Sequence, residues 1–219
     1  MRAREFIAEE EVSIENIRNF VVENCQPFIK EIGGIQNITS KVMYRGTNVR
    51  SDYTIIVPAY TNRKPANTSA VLHKAFSSAM DQLGIKARRD NSLFVTSVYS
   101  DAGLYGREYV VIPIGDFSFS WSNAIDDFYL DIVDHLEKFT DISAKEKQDD
   151  VYLDYDDLHD MIETGTVVIN EDRLLEFIST YYKTSNLIEA IQVGNEIMIH
   201  SEKCFLIRED IFAEVDWIS

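Results

Sequence analysis

Cysteine is almost missing from this chain: Cys25 and Cys204 are the two thiols among 219 residues. Two thiols build neither a disulfide framework nor a thiolate zinc site, so a reducing, intracellular setting is expected. Long apolar runs are missing too, and none approaches the roughly 18–20 residues of a membrane-crossing helix. The opening "MRAREFIAEEEVS" carries charges where a secretory leader would carry an apolar segment, which argues against a signal peptide. Basic residues are in short supply: 21 Lys and Arg stand against 37 Asp and Glu, a formal net charge of −16. Such a surface repels phosphate backbones, so non-specific nucleic-acid binding is not expected.

Familiar site motifs are absent as well. No G-x-x-x-x-G-K-[ST] and no strand followed by G-x-G-x-x-G occurs, which leaves out the P-loop and the Rossmann dinucleotide site. "GDFSFSWSNAIDD" has serines but no G-x-S-x-G elbow. His73, His135, His159 and His200 form no i, i+4 pair, so no metal site is expected. The acidic stretch "DDVYLDYDDLHD" lacks the glycine at the sixth position of a calcium loop and reads as a solvated loop.

What remains is an ordinary globular composition, 45% hydrophobic and 26% charged. The length suits a single domain, residues 1–219, able to bury about 70% of its unfolded surface. Ile14, Ile17, Phe20, Val21, Cys25, Phe28 and Ile32 recur at helical spacing, with Ser13 as the cap. "VMYRG" reads as a strand. Leu72, Ala75, Phe76, Ala79, Met80 and Leu83 stripe a helix capped by Asn67 or Thr68 and ended by Gly84. "NSLFVTSV", "EYVVIPIG" and "FSFSW" read as strands, and "SNAIDDFYLDIVDHLEKF" returns to helical period. A polar acidic insertion covers about 141–165. A short helix, a strand "TVVIN", a helix "EDRLLEFISTYY" and a helical turn or two in "SNLIEAIQVG" come next. Two strands around a hairpin-like "SEK" complete the reading. Interleaved helices with adjacent late strands predict an α+β fold, mixed and largely antiparallel, with flanking helices.

Three strand ends carry polar groups: Arg45 in "MYRG", Thr96 and Ser97 in "LFVTS", and Glu196 in "GNEIMI". An arginine, a hydroxyl pair and a glutamate in that chain order resemble the Arg–Ser–Glu signature of the ADP-ribosyltransferase superfamily. The stretch from Asn62 to Ser97, followed by "YGREYVVIPIGDFSFSWS", is similar to transferase-like proteins carried by tailed phages.

The resemblance implies a split β-sheet core, NAD as substrate, no metal and a macromolecular acceptor, protein or nucleic acid. In a phage-encoded member the site of action would be the host cytoplasm. It implies catalytic roles for Glu196, Arg45 and Ser97. Dinucleotide contacts fall to Tyr44, Arg45, Gly46, Thr96, Ser97 and Tyr105, with Tyr99 an alternative aromatic for the nicotinamide pocket.

The chemistry is coherent. Cleaving nicotinamide from ribose develops positive charge on the sugar, which a fixed carboxylate stabilises. A guanidinium fork matches the phosphates of NAD, and Gly46 would let backbone approach the nicotinamide amide. Arginine-modifying members carry Glu or Gln two positions before the catalytic glutamate, where this chain has Gly194, so an arginine acceptor is not implied. Hydrolysis of NAD, and a catalytically inert acidic interaction protein on the same fold, are the competing readings.

Overall fold

The computed structural model describes residues 14–57, 69–126, 128–141 and 160–218. The first helical stripe is divided into α1 (Ile14–Asn24) and α2 (Gln26–Glu31). Pro27 sits in the first turn of α2, where its missing N–H costs nothing, and its ring cannot continue the preceding helix. The buried face survives the break, since Ile17, Val21, Cys25, Phe28 and Ile32 are all buried.

Six strands form one sheet: β1 (Tyr44–Thr47), β2 (Tyr53–Ile56), β3 (Leu93–Val95), β4 (Arg107–Ser122), β5 (Tyr182–Lys183) and β6 (Ile197–Arg208). Every pairing between them is antiparallel, and with the interleaved helices this is an α+β fold. The long strands β4 and β6 lie side by side and form its spine. β1 and β5 share the outer edge of β4, while β2 and β3 share that of β6.

Two readings change here. "EYVVIPIG" and "FSFSW" belong to one strand, interrupted by a register shift between Ile114 and Phe117. Gly115, at φ 67°, supplies the left-handed residue of that irregularity. "SEK" is no hairpin, because β6 runs unbroken through it. Ser201 pairs with Phe117 and Lys203 with Ile114, so the polar triplet lies opposite the bulge of β4. Ser201 Oγ donates to the Ile114 carbonyl at 3.1 Å. Polar residues in mid-strand thus mark a bulge in the partner strand.

Two apolar cores lie against the sheet. Ile197 and Ile199 join the first, with α1 and α2, whereas Met198 joins the second; that is the period of two expected of a strand buried on both faces. The second core is built from α3 (Ala70–Gln82), α5 (Phe128–Phe139) and α6 (Glu171–Tyr181). At its centre Phe76 meets Phe128 edge-on at 4.8 Å and Phe139 at 5.4 Å.

The cap of α3 is Ser69, one residue beyond the expected pair, which lies outside the described residues. Its Oγ accepts from the Leu72 N–H at 3.2 Å and donates to Glu163 at 2.6 Å. "TVVIN" contributes a single bridge, Thr140 to Ile169, instead of a strand. α7 (Leu187–Val193) follows β5, and α8 (Glu209–Glu214), absent from the sequence reading, follows β6. Residues 142–159 of the acidic insertion lie outside the described residues. Among those described, no helix is long and apolar enough to cross a membrane.

Candidate functional site

β1 reaches β3 through one bridge. Tyr44 N–H donates to Thr96 O at 2.6 Å, and Thr96 N–H returns to Tyr44 O at 3.0 Å. The bridge sets Arg45 beside β3, where its Nη1 donates to the Phe94 carbonyl at 2.7 Å. Burial pulls the Arg45 guanidinium below its ordinary range, and the carboxylate of Glu196, then Cys204, oppose that shift.

Glu196 is held by the segment that delivers it. α7 starts at Asn186, whose side chain accepts from Glu189 N–H, and ends at Gly194. Gly194 has φ 95°, a left-handed C-cap that favours glycine. A Cβ there would also come within 3.1 Å of Val98 Cγ2. Thr96 Oγ1 donates to Gly194 O at 3.0 Å, and Ser97 Oγ donates to Ile191 O at 2.6 Å. Asn195 Nδ2 donates to Ser122 O at 2.8 Å, and Glu196 N–H donates to Asp126 O at 3.0 Å. The hydroxyl pair thus acts on Glu196 through the backbone that precedes it.

A fourth participant was not singled out in the sequence. Arg89 Nη1 donates to Glu196 Oε1 at 3.2 Å, with the arginine side chain 8% exposed and the glutamate 27%. The guanidinium lies over the Phe128 ring at 3.6 Å from its centroid and over Phe94 at 4.9 Å. Tyr182 adds a neutral phenol to the group. Burial drives its hydroxyl well above the ordinary range, Arg89 pulls it back, and Glu196 adds to the rise. In "KARRDN" nothing separates Arg89 from Arg88. The structure turns Arg88 outward to Asp81 and Asp90, and Arg89 inward.

The remaining predicted residues lie elsewhere along β1. Tyr44 meets Tyr99 edge-on at 5.4 Å. Gly46 is buried, and the space a side chain would need is taken by the Ala102 carbonyl, 1.9 Å from an added Cβ. Its glycine is explained by α4 (Tyr99–Gly103) lying against the strand. Tyr105 is 63% exposed in the turn between α4 and β4. The adjacent Gly106 packs against Thr47, the opposite end of β1 from the Tyr44–Thr96 bridge. Thr96 and Ser97 are brought to the segment that carries Glu196, with Arg45 anchored on neighbouring β3, whereas Tyr105 is exposed in the α4–β4 turn.

No family model, curated protein or solved structure matches this chain. Among the described residues, no cluster of His, Cys, Asp and Glu is arranged to hold a metal ion. The cluster combines a fixed carboxylate with a buried guanidinium, Arg89, and a half-buried one, Arg45. Such a set can stabilise a developing cation at the carboxylate while an anionic group is held beside it.

Proposed function

We propose that the protein transfers ADP-ribose from NAD to a macromolecular acceptor. The observation that carries this reading is the Thr96–Ser97 strand end, which braces through Gly194 and Ile191 the segment that delivers Glu196. In the proposed reaction the bond between the nicotinamide nitrogen and ribose C1′ breaks. Its electron pair leaves with nicotinamide, which departs neutral. The acceptor's lone pair then forms the new bond to C1′, and the acceptor loses a proton. Glu196 stabilises the oxocarbenium-like sugar between those events, a contribution of about 3–4 kcal/mol for one preorganised group. Arg45 keeps its charge in a fixed position for the phosphates of the dinucleotide.

The backbone at Gly194 bears on the acceptor. Arginine-modifying members of the superfamily place an acidic or amide side chain at this position. Here φ is 95° and Val98 occupies the adjoining space. That position therefore does not favour protein arginine as the acceptor.

Incubation of the protein with NAD labelled in the adenylate, together with a cell lysate, tests the proposal. Labelled macromolecule is the expected result. Free ADP-ribose alone would assign hydrolysis. Unchanged NAD, with or without lysate, would overturn the reading in favour of a non-catalytic acidic protein.

A further inference from the structure

The part-buried pair between Arg89 and Glu196 joins side chains 107 residues apart in sequence. Its cation is unusually constrained. The guanidinium is pressed against Phe128 and lies near Phe94, both packed with the second core. Its Nε is buried and makes no hydrogen bond among the described residues. A guanidinium that accepts this loss of solvation gains most where a carboxylate lies within reach.

Resting on the ADP-ribose-transfer reading, we propose that Arg89 is the positioning residue for Glu196, holding its carboxylate ionised and in one orientation. Two cations and a neutral phenol divide this work. Arg45, on β1, is anchored on the Phe94 carbonyl. Tyr182 approaches from β5 as a neutral phenol, held so by burial and by Glu196 itself. Of these groups, Arg89 donates directly to Oε1.

The rigidity comes from aromatic stacking. A planar guanidinium lies flat on a ring and presents its N–H groups along the ring plane, a geometry unavailable to an ammonium. Arg89 therefore transmits the position of the aromatic core to the carboxylate. The same cation weakens the carboxylate's field, so it acts by orientation and by keeping the acid deprotonated. Arg89 is not the group that meets the sugar.

Two readouts on Arg89→Met and Arg89→Lys test this. The first is the titration of the Glu196 side-chain carboxyl, followed by carbon NMR in uniformly labelled protein and assigned with Glu196→Gln. Removing a cation within hydrogen-bond reach raises the midpoint by about one pH unit in Arg89→Met, while Arg89→Lys keeps it near the parent value. The second is NAD turnover. In Arg89→Met kcat falls about tenfold with KM within about twofold, because orientation is lost and binding is kept. The acidic limb of its pH profile moves up with the NMR midpoint. Arg89→Lys restores that limb but recovers only part of kcat, because it lacks the stacked plane.

An unchanged carboxyl midpoint in Arg89→Met overturns the proposal whether or not NAD is consumed. If the parent leaves NAD intact, the transferase reading fails, while the titration still decides whether Arg89 controls the carboxylate. Should Arg89→Met not fold, Arg89→Lys carries the test alone: parental kcat in that variant would overturn the stacking argument.

Discussion

The Ser97 hydroxyl donates to the carbonyl of Ile191 at 2.6 Å, joining the end of β3 to the last turns of α7. Five residues after Ile191 comes Glu196, whose side chain meets Arg89. The serine thus acts at one remove, by fixing the helix that launches the acidic residue. Thr96 does the same at Gly194, and its Oγ1 also accepts from the Val98 N–H. This arrangement makes the proposed site testable in parts.

Glu196→Gln removes charge with almost no change in volume. Turnover of NAD is expected to fall about 10²–10³-fold. Thermal unfolding of the same variant is expected at a lower temperature but with the fold retained, since the amide oxygen can still accept from Arg89 while its buried charge loses its counter-ion. Turnover within about threefold of the parent would remove Glu196 from the catalytic assignment.

Arg45→Ala tests binding and structure together. The Arg45 fork is already committed in part to the Phe94 carbonyl. Its loss leaves that acceptor with one partner fewer, at a cost of about 1–3 kcal/mol. Arg45→Lys restores a donor and the charge but not the fork. We therefore expect a lower denaturation midpoint in Arg45→Ala, recovered largely by Arg45→Lys. NAD affinity, measured calorimetrically, is expected to fall in both variants. Parental affinity in both would detach Arg45 from the dinucleotide.

Gly46→Ala separates the packing account of this glycine from a ligand-approach account. An added Cβ meets the Ala102 carbonyl oxygen at 1.9 Å, and backbone cannot yield as a flexible side-chain tip can. The expected loss of stability is about 3 kcal/mol, at the upper end for overpacking. A variant with parental stability and weakened NAD binding would return the glycine to the ligand.

The two thiols give a pH prediction. Burial pushes Cys25 and Cys204 up to about 12 from an ordinary 9.0. A folded-state value above the unfolded one means the native fold favours the neutral thiol. Its contribution is complete below pH 9 and is lost as pH rises toward 12. Denaturant titrations are thus expected to show a declining midpoint above pH 9. In Cys25→Ala/Cys204→Ala that dependence is expected to flatten. A native protein that reacts with a thiol reagent at pH 8 as fast as the unfolded chain would contradict the burial account.

Much of this molecule is written in local pattern. The stripe from Ile17 to Ile32 marks a buried face, although only Pro27 reveals that two helices share it. The motifs at Arg45, Thr96–Ser97 and Glu196 could be singled out because each sets a polar group at the end of an apolar strand. Their spacing along the chain carried no information about who touches whom.

Other features depend on what lies opposite in space. "SEK" has the composition of a turn, yet Ser201 and Lys203 lie within β6 because β4 bulges across from them. Gly46 suits a ligand pocket equally well until Ala102 is seen in the space beside it. Arg88 and Arg89 are adjacent and chemically identical, so no sequence rule assigns one to the surface and the other to Glu196. Hydrophobic period and capping residues therefore determine which segments become helices and strands, since those preferences act within a few residues. The partner of a buried charge is decided by chain packing, which brings residues 89 and 196 together only once α5 and the sheet have closed around them.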